Sequence, residues 1–254
     1  VALVAAVTIV ALAGGGCATR PVAAPDAGGV TRPAAHAVLR SLAIDRALED
    51  RILALDPEQV TADDVRDTLA QGPAPRVVLL HGGIYPVYLM MESAGRFLAG
   101  MGYPENRIRH PGDGRWSHSP YEHSAQIAGF IAWHYERDGM RPMMIGHSQG
   151  GIQAIKVLYE LAGRFDEPIP VWNPLADAAE VRTSIVDPLT GAERPVVGLS
   201  VSYVSVVGAG GAALLLPNQW SMVGKMRTIP DAVDEFTGFA IGLDFFAWTY
   251  PGDE

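Results

Sequence analysis

"MRPMMIGHSQGG", residues 140–151, is the stretch on which the reading of this chain turns. Met143–Ile145 form a short solid apolar run, as in a strand buried on both faces. Gly146-His147-Ser148-Gln149-Gly150 fits G-x-S-x-G. The segment that follows, "GIQAIKVLYELAG", carries Ile152, Ile155 and Leu158 along one side of a helix. Strand, sharp turn and helix together predict that Ser148 is held in a strained backbone conformation with its hydroxyl lifted above a sheet. Gly146 and Gly150 leave room for strand and helix to pass closely. The helix N-terminus beyond the turn favours developing negative charge.

About 65 residues ahead of Ser148, "PRVVLLHGG" at 75–83 repeats the pattern of a buried run ending in glycines. Acyl transfer through a tetrahedral intermediate needs N–H donors at the oxyanion. The expected donors are the N–H of Gln149, just after the nucleophile, and one from the His81-Gly82-Gly83-Ile84 loop. Gly83 is the first choice there and Ile84 the second. His81 is expected to brace that loop, and His147 to pack beneath the turn rather than take part in chemistry.

Outward from these motifs, strands alternate with helices, which predicts a parallel sheet with helices on both faces. A helical pattern covers 36–72, with Ile44, Leu48, Ile52 and Leu55 on one face, a capping-box start at Thr61 and Asp64, and a stop at Gly72. Further helices are expected over about 88–101, with Leu89, Ala94, Phe97, Leu98 and Met101 as its apolar face, and from Ser119-Pro120 to Gly139. "IPVWNP", "LSVSYVSVVGAGG" and "FTGFAIGLDFFAW" read as strands, with a β-hairpin inserted at 182–199. Residues 211–234 are apolar and helix-like. Leu214–Leu216, Trp220 and Met222 would suit a lid or acyl-binding wall, or simply core.

His81-Gly82-Gly83, the Gly146–Gly150 turn and the order of elements between them resemble the α/β-hydrolase superfamily, in particular its lipase- and esterase-like members. The resemblance covers about residues 75–250. It implies an eight-stranded, mostly parallel sheet, no cofactor, and a triad in chain order Ser, acid, His. Asp244, after the last strand, matches the acid position; Asp187, Asp177 and Asp234 compete with it. Asp187-Pro188 reads better as a turn, and Asp234 as a charge on a helix surface. The base has no matching position, because the last histidine is His147. Three explanations stand open: a histidine beyond Glu254 in a longer chain, an upstream histidine such as His118 or His123, or a relative without activity.

The ends of the sequence add to this. "VALVAAVTIVALAGGGC" at 1–17 resembles a bacterial lipoprotein signal, with Cys17 as the lipidated residue, though Gly14 stands where Leu is preferred. An ordinary secretory signal is the alternative. Residues 18–35, rich in Pro, Ala and Gly, read as a tether, and 36–254 as an α/β-hydrolase domain truncated at its C-terminus. The run at 1–13 has neither an initiator Met nor a basic residue ahead of it, which suits a sequence clipped at the front.

Composition narrows the partners. With 28 acidic and 19 basic residues the net charge is −9, which disfavours nucleic acid. His110, Asp113, His118 and His123 share a loop but lack a metal-ligand spacing, so no metal is expected. The sequence therefore predicts an exported serine hydrolase acting on small-molecule or lipid esters, membrane-attached through Cys17 if that residue is modified. Ser148 is the nucleophile, Asp244 the acid, and Gly83 and Gln149 the oxyanion donors. The alternatives are an amidase, thioesterase or acyltransferase with the same machinery, and a non-catalytic envelope lipoprotein that keeps the fold.

Overall fold

The computed structural model describes residues 44–210, 214, 216–226 and 228–240. Cys17, Asp244, the signal and tether segments and part of 211–234 therefore lie outside the described residues. Four strands form one parallel sheet: β1 (Val77–Leu80), β2 (Met143–His147), β7 (Val201–Val207) and β8 (Val233–Phe239), side by side in that order. Each pairs in register with its neighbour, so Leu80 stands beside Gly146, and His147 beside Val207, which stands beside Phe239. On the free side of β1, His118 makes a single parallel bridge to Leu80. The eight strands expected are four among the described residues, with that bridge as the rudiment of a fifth.

Alternation along the strands divides the apolar residues between two faces. Val77, Leu79, Met143 and Ile145 face α3 (Tyr85–Gly100), packing with Met91, Ile108 and Trp116. Val78, Leu80 and Met144 face α4 (Ser124–Asp138) and α5 (Gln149–Leu161), whose Ile127, Ile131, Ile152, Ile155 and Leu158 fill the larger core. Two short helices precede the sheet, α1 (Arg46–Leu53) and α2 (Ala62–Asp67). The expected capping box is present: Thr61 accepts from the Asp64 N–H, and Asp64 accepts from the Thr61 N–H.

Several expected boundaries and faces differ, each for a local reason. Helix α3 begins three residues early, at Tyr85, with Pro86 in its first turn. Its buried residues are Met91 and Gly95, whereas Phe97, assigned to the inner face from sequence, is 66% exposed. A Cβ at Gly95 would come within 2.7 Å of the Trp116 ring. The smallest residue, not the largest ones, sets which side of the helix approaches the sheet. Helix α4 starts at Ser124, not Ser119, because Ser119 closes a turn of its own: its Oγ accepts from the Tyr121 N–H and its carbonyl from the Glu122 N–H. Gly139 ends the helix in the left-handed region (φ 68°).

"IPVWNP" contributes β3 (Trp172–Asn173), which pairs antiparallel with β4 (Ala178–Ala179) outside the main sheet. The expected hairpin forms from β5 (Ser184–Val186) and β6 (Glu193–Pro195). Of the described part of 211–234, Pro217–Met222 form a 3₁₀ helix, and Val233 and Asp234 already belong to β8. Asp234 is thus a strand residue in an ion pair with Arg141 at 2.7 Å, not a helix-surface charge.

Candidate active site

Ser148 sits between the last residue of β2 and the first of α5 with φ 55° and ψ −125°. A residue with a Cβ is strained there by roughly 1–3 kcal/mol and persists only where its surroundings force it. The forcing is visible on both sides. The Ser148 N–H donates to the Val207 carbonyl at 2.8 Å, carrying the β2–β7 pairing past the end of β2, while the Ser148 carbonyl already accepts from Gly151 and Ile152 of α5. A Cβ at Gly146 would lie 2.5 Å from the Gly150 carbonyl oxygen, and one at Gly150 would lie 2.5 Å from the His81 carbonyl and strike that of Leu80. Only glycines let strand, turn and helix close this tightly. The Ser148 side chain is half-buried and does not cap the helix.

The His81–Ile84 loop lies directly against this turn. A Cβ at Gly82 would come within 3.1 Å of Ser148 Cβ and 3.4 Å of the His147 carbonyl. A Cβ at Gly83 would strike the Gln149 side-chain oxygen and lie 3.0 Å from the Tyr121 hydroxyl. Gln149 is buried, and its Oε1, pressed toward Gly83, has no hydrogen-bond partner among the described residues. Its backbone N–H opens α5, where an N–H has no acceptor within the helix. His81 anchors the loop from outside: its N–H donates to the His118 carbonyl and its Nδ1 lies 3.1 Å from Ser117 Oγ. Burial pushes the His81 pKa below its ordinary value.

Topology explains why these pieces meet. After β1 the chain moves outward to the His118 bridge, then reverses and crosses to β2, after which it continues the other way to β7. The C-terminal ends of β1 and β2 therefore flank the point where the strand order reverses. That crevice is where open parallel sheets place their ligands.

A third group of residues closes around the crevice, and the sequence reading missed it. Gln153 Nε2 donates to the Glu122 carbonyl at 2.7 Å, and Asn218 Nδ2 to the Pro120 carbonyl at 2.9 Å. Gln219 Nε2 reaches both the Pro120 carbonyl and Gln153 Oε1, and Gln149 Nε2 reaches Asn218 Oδ1. Lys156 Nζ holds the Asn218 carbonyl at 3.0 Å. The 119–122 turn and the 217–222 segment are thus tied to one side of α5. The signal available was the recurrence of Gln149, Gln153 and Lys156 at helical spacing on a helix otherwise buried as hydrophobe.

The remaining acid and base candidates fall elsewhere. Asp234 is the second residue of β8, at the opposite end of the parallel sheet from Ser148, five residues of strand or about 17 Å from the level of Phe239. Asp187 is a turn residue, accepting from the Leu189 N–H at 2.9 Å and from Arg194 at 3.1 Å. Asp177 is exposed between β3 and β4. His118 is buried, with Nδ1 held by Glu122 Oε2 at 2.8 Å, and His123 is an exposed residue at the N-cap of α4. Neither is hydrogen-bonded to Ser148.

His110, His118 and His134 instead surround the Phe130 ring, with centroids 5.4, 4.9 and 4.5 Å away. Burial, reinforced by nearby cationic groups, lowers His110 to about 4. Burial also lowers His134 to about 4, against the opposing pull of Asp138. Glu122 is buried too, which alone would raise its pKa. Hydrogen bonding and charge from His118 and Arg115 outweigh that and hold it at about 2. These groups form an aromatic and ionic core beneath the 119–122 turn. Among the described residues no cluster of His, Cys, Asp or Glu is arranged to hold a metal ion, and no helix is long and apolar enough to cross a membrane. No family model, curated protein or solved structure matches the chain.

Proposed function

We propose that the chain is a serine hydrolase of the α/β-hydrolase type that cleaves carboxylic esters through an acyl-enzyme. The observation that carries this reading is the conformation of Ser148, φ 55° and ψ −125°, with the Gly82-Gly83 loop packed against it at the C-terminal ends of β1 and β2. A fold bears such strain where it positions a reacting group. Ser148 Oγ attacks the ester carbonyl, and the charge that develops on the carbonyl oxygen is taken by the Gln149 N–H and by the Gly83 end of the loop. Release of the alcohol leaves an ester on Ser148, which water then hydrolyses. This chemistry calls for no cofactor.

The proton from Ser148 passes to a base that we assign to none of the described histidines. For the acid, Asp244 remains the choice. It follows β8, whose last residue, Phe239, stands at the same end of the sheet as Ser148. The segment 1–17 with Cys17 supports export and attachment to a membrane by a lipid, and an acidic chain supports a small-molecule or lipid ester over nucleic acid.

A fluorophosphonate probe tests the reading. It should label the full-length protein once per chain, on Ser148, and labelling should vanish in Ser148→Ala. Labelling that survives this substitution excludes Ser148 as the nucleophile. One observation favours a second reading, a binding protein of the envelope that keeps the fold without turnover: neither upstream histidine candidate is hydrogen-bonded to Ser148. Absence of labelling at any pH between 6 and 9, with the protein folded, would select that reading.

A further inference from the structure

We propose that Tyr121 is a third oxyanion donor, a catalytic residue whose hydroxyl joins the two backbone N–H groups at the substrate carbonyl. The inference rests on the ester-hydrolase reading of Ser148 and extends it to a residue that no motif marks.

Three observations carry it. First, the Tyr121 hydroxyl stands over the loop that faces Ser148. It reaches the Gly83 carbonyl at 3.4 Å and lies 3.0 Å from the Cβ position of Gly83, one residue from the glycine that touches Ser148. Second, Tyr121 is 59% exposed, so its ring is not a core side chain that happens to end near the site. Third, the turn that presents it is held from below by side-chain amides. The carbonyls of Pro120 and Glu122, the residues on either side of Tyr121, are the ones held by Asn218, Gln219 and Gln153. Gln153 and Gln219 are 1% and 0% exposed. Burying an amide that deeply is unfavourable unless its hydrogen bonds are met. Gln153 meets them at both ends and Gln219 through its NH2 group, each amide holding the backbone beside one exposed tyrosine, while Gln219 Oε1 has no partner among the described residues. The Glu122 carboxylate adds to the grip, accepting from the Ser119 N–H at 2.8 Å and lying 2.8 Å from His118 Nδ1.

The bond from Tyr121 to Gly83 is long for an O–H donor. A hydroxyl held that loosely is readily drawn to a stronger acceptor. When the substrate carbonyl becomes anionic, the Tyr121 O–H turns from the neutral Gly83 carbonyl to the charged oxygen and gains a charge-assisted bond. The tyrosine keeps its proton throughout. No bond to it forms or breaks, and its contribution is larger in the transition state than in the bound substrate.

The test is Tyr121→Phe in the full-length protein, assayed with 4-nitrophenyl acetate and a fluorophosphonate probe and melted alongside the unaltered chain. Because Tyr121 is an exposed residue and its hydroxyl makes one long bond, the melting temperature should stay within about 2 °C. We expect kcat and the rate constant of phosphonylation to fall about 10- to 100-fold. That is less than the roughly 100- to 1,000-fold loss typical of removing one oxyanion donor, because two amides remain. KM should stay within threefold, since the bond strengthens only as charge develops. Unchanged kcat in a variant that still labels at Ser148, or a change confined to KM, overturns the role of Tyr121 while leaving the hydrolase reading intact. Failure of the unaltered protein to label or turn over ester removes both.

Discussion

Replacing Ser148 by glycine should stabilise the protein, and the size of the effect follows from the backbone. At φ 55° and ψ −125° a Cβ is strained by about 1–3 kcal/mol, and glycine removes that strain. Glycine also gives the unfolded chain more freedom, which takes back about 0.5–1 kcal/mol. Ser148→Ala is the proper reference, because it loses the hydroxyl yet keeps the Cβ. At the middle of each range, Ser148→Gly should therefore exceed Ser148→Ala by about 1 kcal/mol. At roughly 2–4 °C per kcal/mol for a domain of this size, its melting temperature should stand about 2–4 °C higher. Differential scanning calorimetry of both variants, with urea titrations to confirm the order, measures this without reference to any substrate. If Ser148→Gly melts at or below Ser148→Ala, the turn is not strained, and the main support for a nucleophile at this position is gone.

Three further outcomes follow from the packing and the titrations. Gly150→Ala should destabilise by about 1–3 kcal/mol or more in urea unfolding and sharply reduce labelling of Ser148. The new methyl would meet the carbonyls of Leu80 and His81, which are backbone and cannot rotate away. Gln153→Ala should cost about 1–3 kcal/mol because it leaves the buried Glu122 carbonyl without its donor, and Gln219→Ala less, because Asn218 still donates to the Pro120 carbonyl; the double variant should cost less than the sum, since the two amides share a bond. The protein should lose stability on mild acidification. His110 and His134 are held near 4 in the fold against about 6.5 when unfolded. Their contribution is complete above pH 6.5 and declines as pH falls toward 4, where the unfolded chain binds the extra protons. For His134 alone this reaches at most about 3 kcal/mol. Glu122, held near 2, continues the decline from about pH 4.5 downward. A melting temperature that stays flat from pH 7.5 to 4.5 would contradict the burial of the two histidines.

Local grammar in the sequence reached further than distant packing. The Met143–Leu161 strand, turn and helix, the Thr61 capping box, the Gly139 stop and the 182–199 hairpin depend on residues within a few positions of one another. Periodicity and turn chemistry could therefore read them directly. The rotation of α3 could not be read that way, because it is decided by the fit of Gly95 against Trp116, a residue on a loop 21 positions later. Ser119 offered a helix start by its type, yet its oxygen is spent on a turn that stops at Glu122. Within the site, the meeting of Ser148, Gly83 and Gln149 was legible because the two short motifs that carry them each fix a local turn. Tyr121 was not, since what singles it out is the convergence of Gln153, Asn218 and Gln219, which lie 32 to 98 positions away.

The absence of any space for a methyl at Gly150 has an evolutionary reading. Helix α5 and the carbonyls at the end of β1 are mated without clearance, so Ser148 and the Gly82-Gly83 loop beside it behave as one casting. Such a part cannot be adjusted in small steps. Change would have to work on its surroundings, on exposed residues such as Tyr85 at the start of α3. A lineage using this scaffold should therefore vary around the Ser148 turn long before it varies within it.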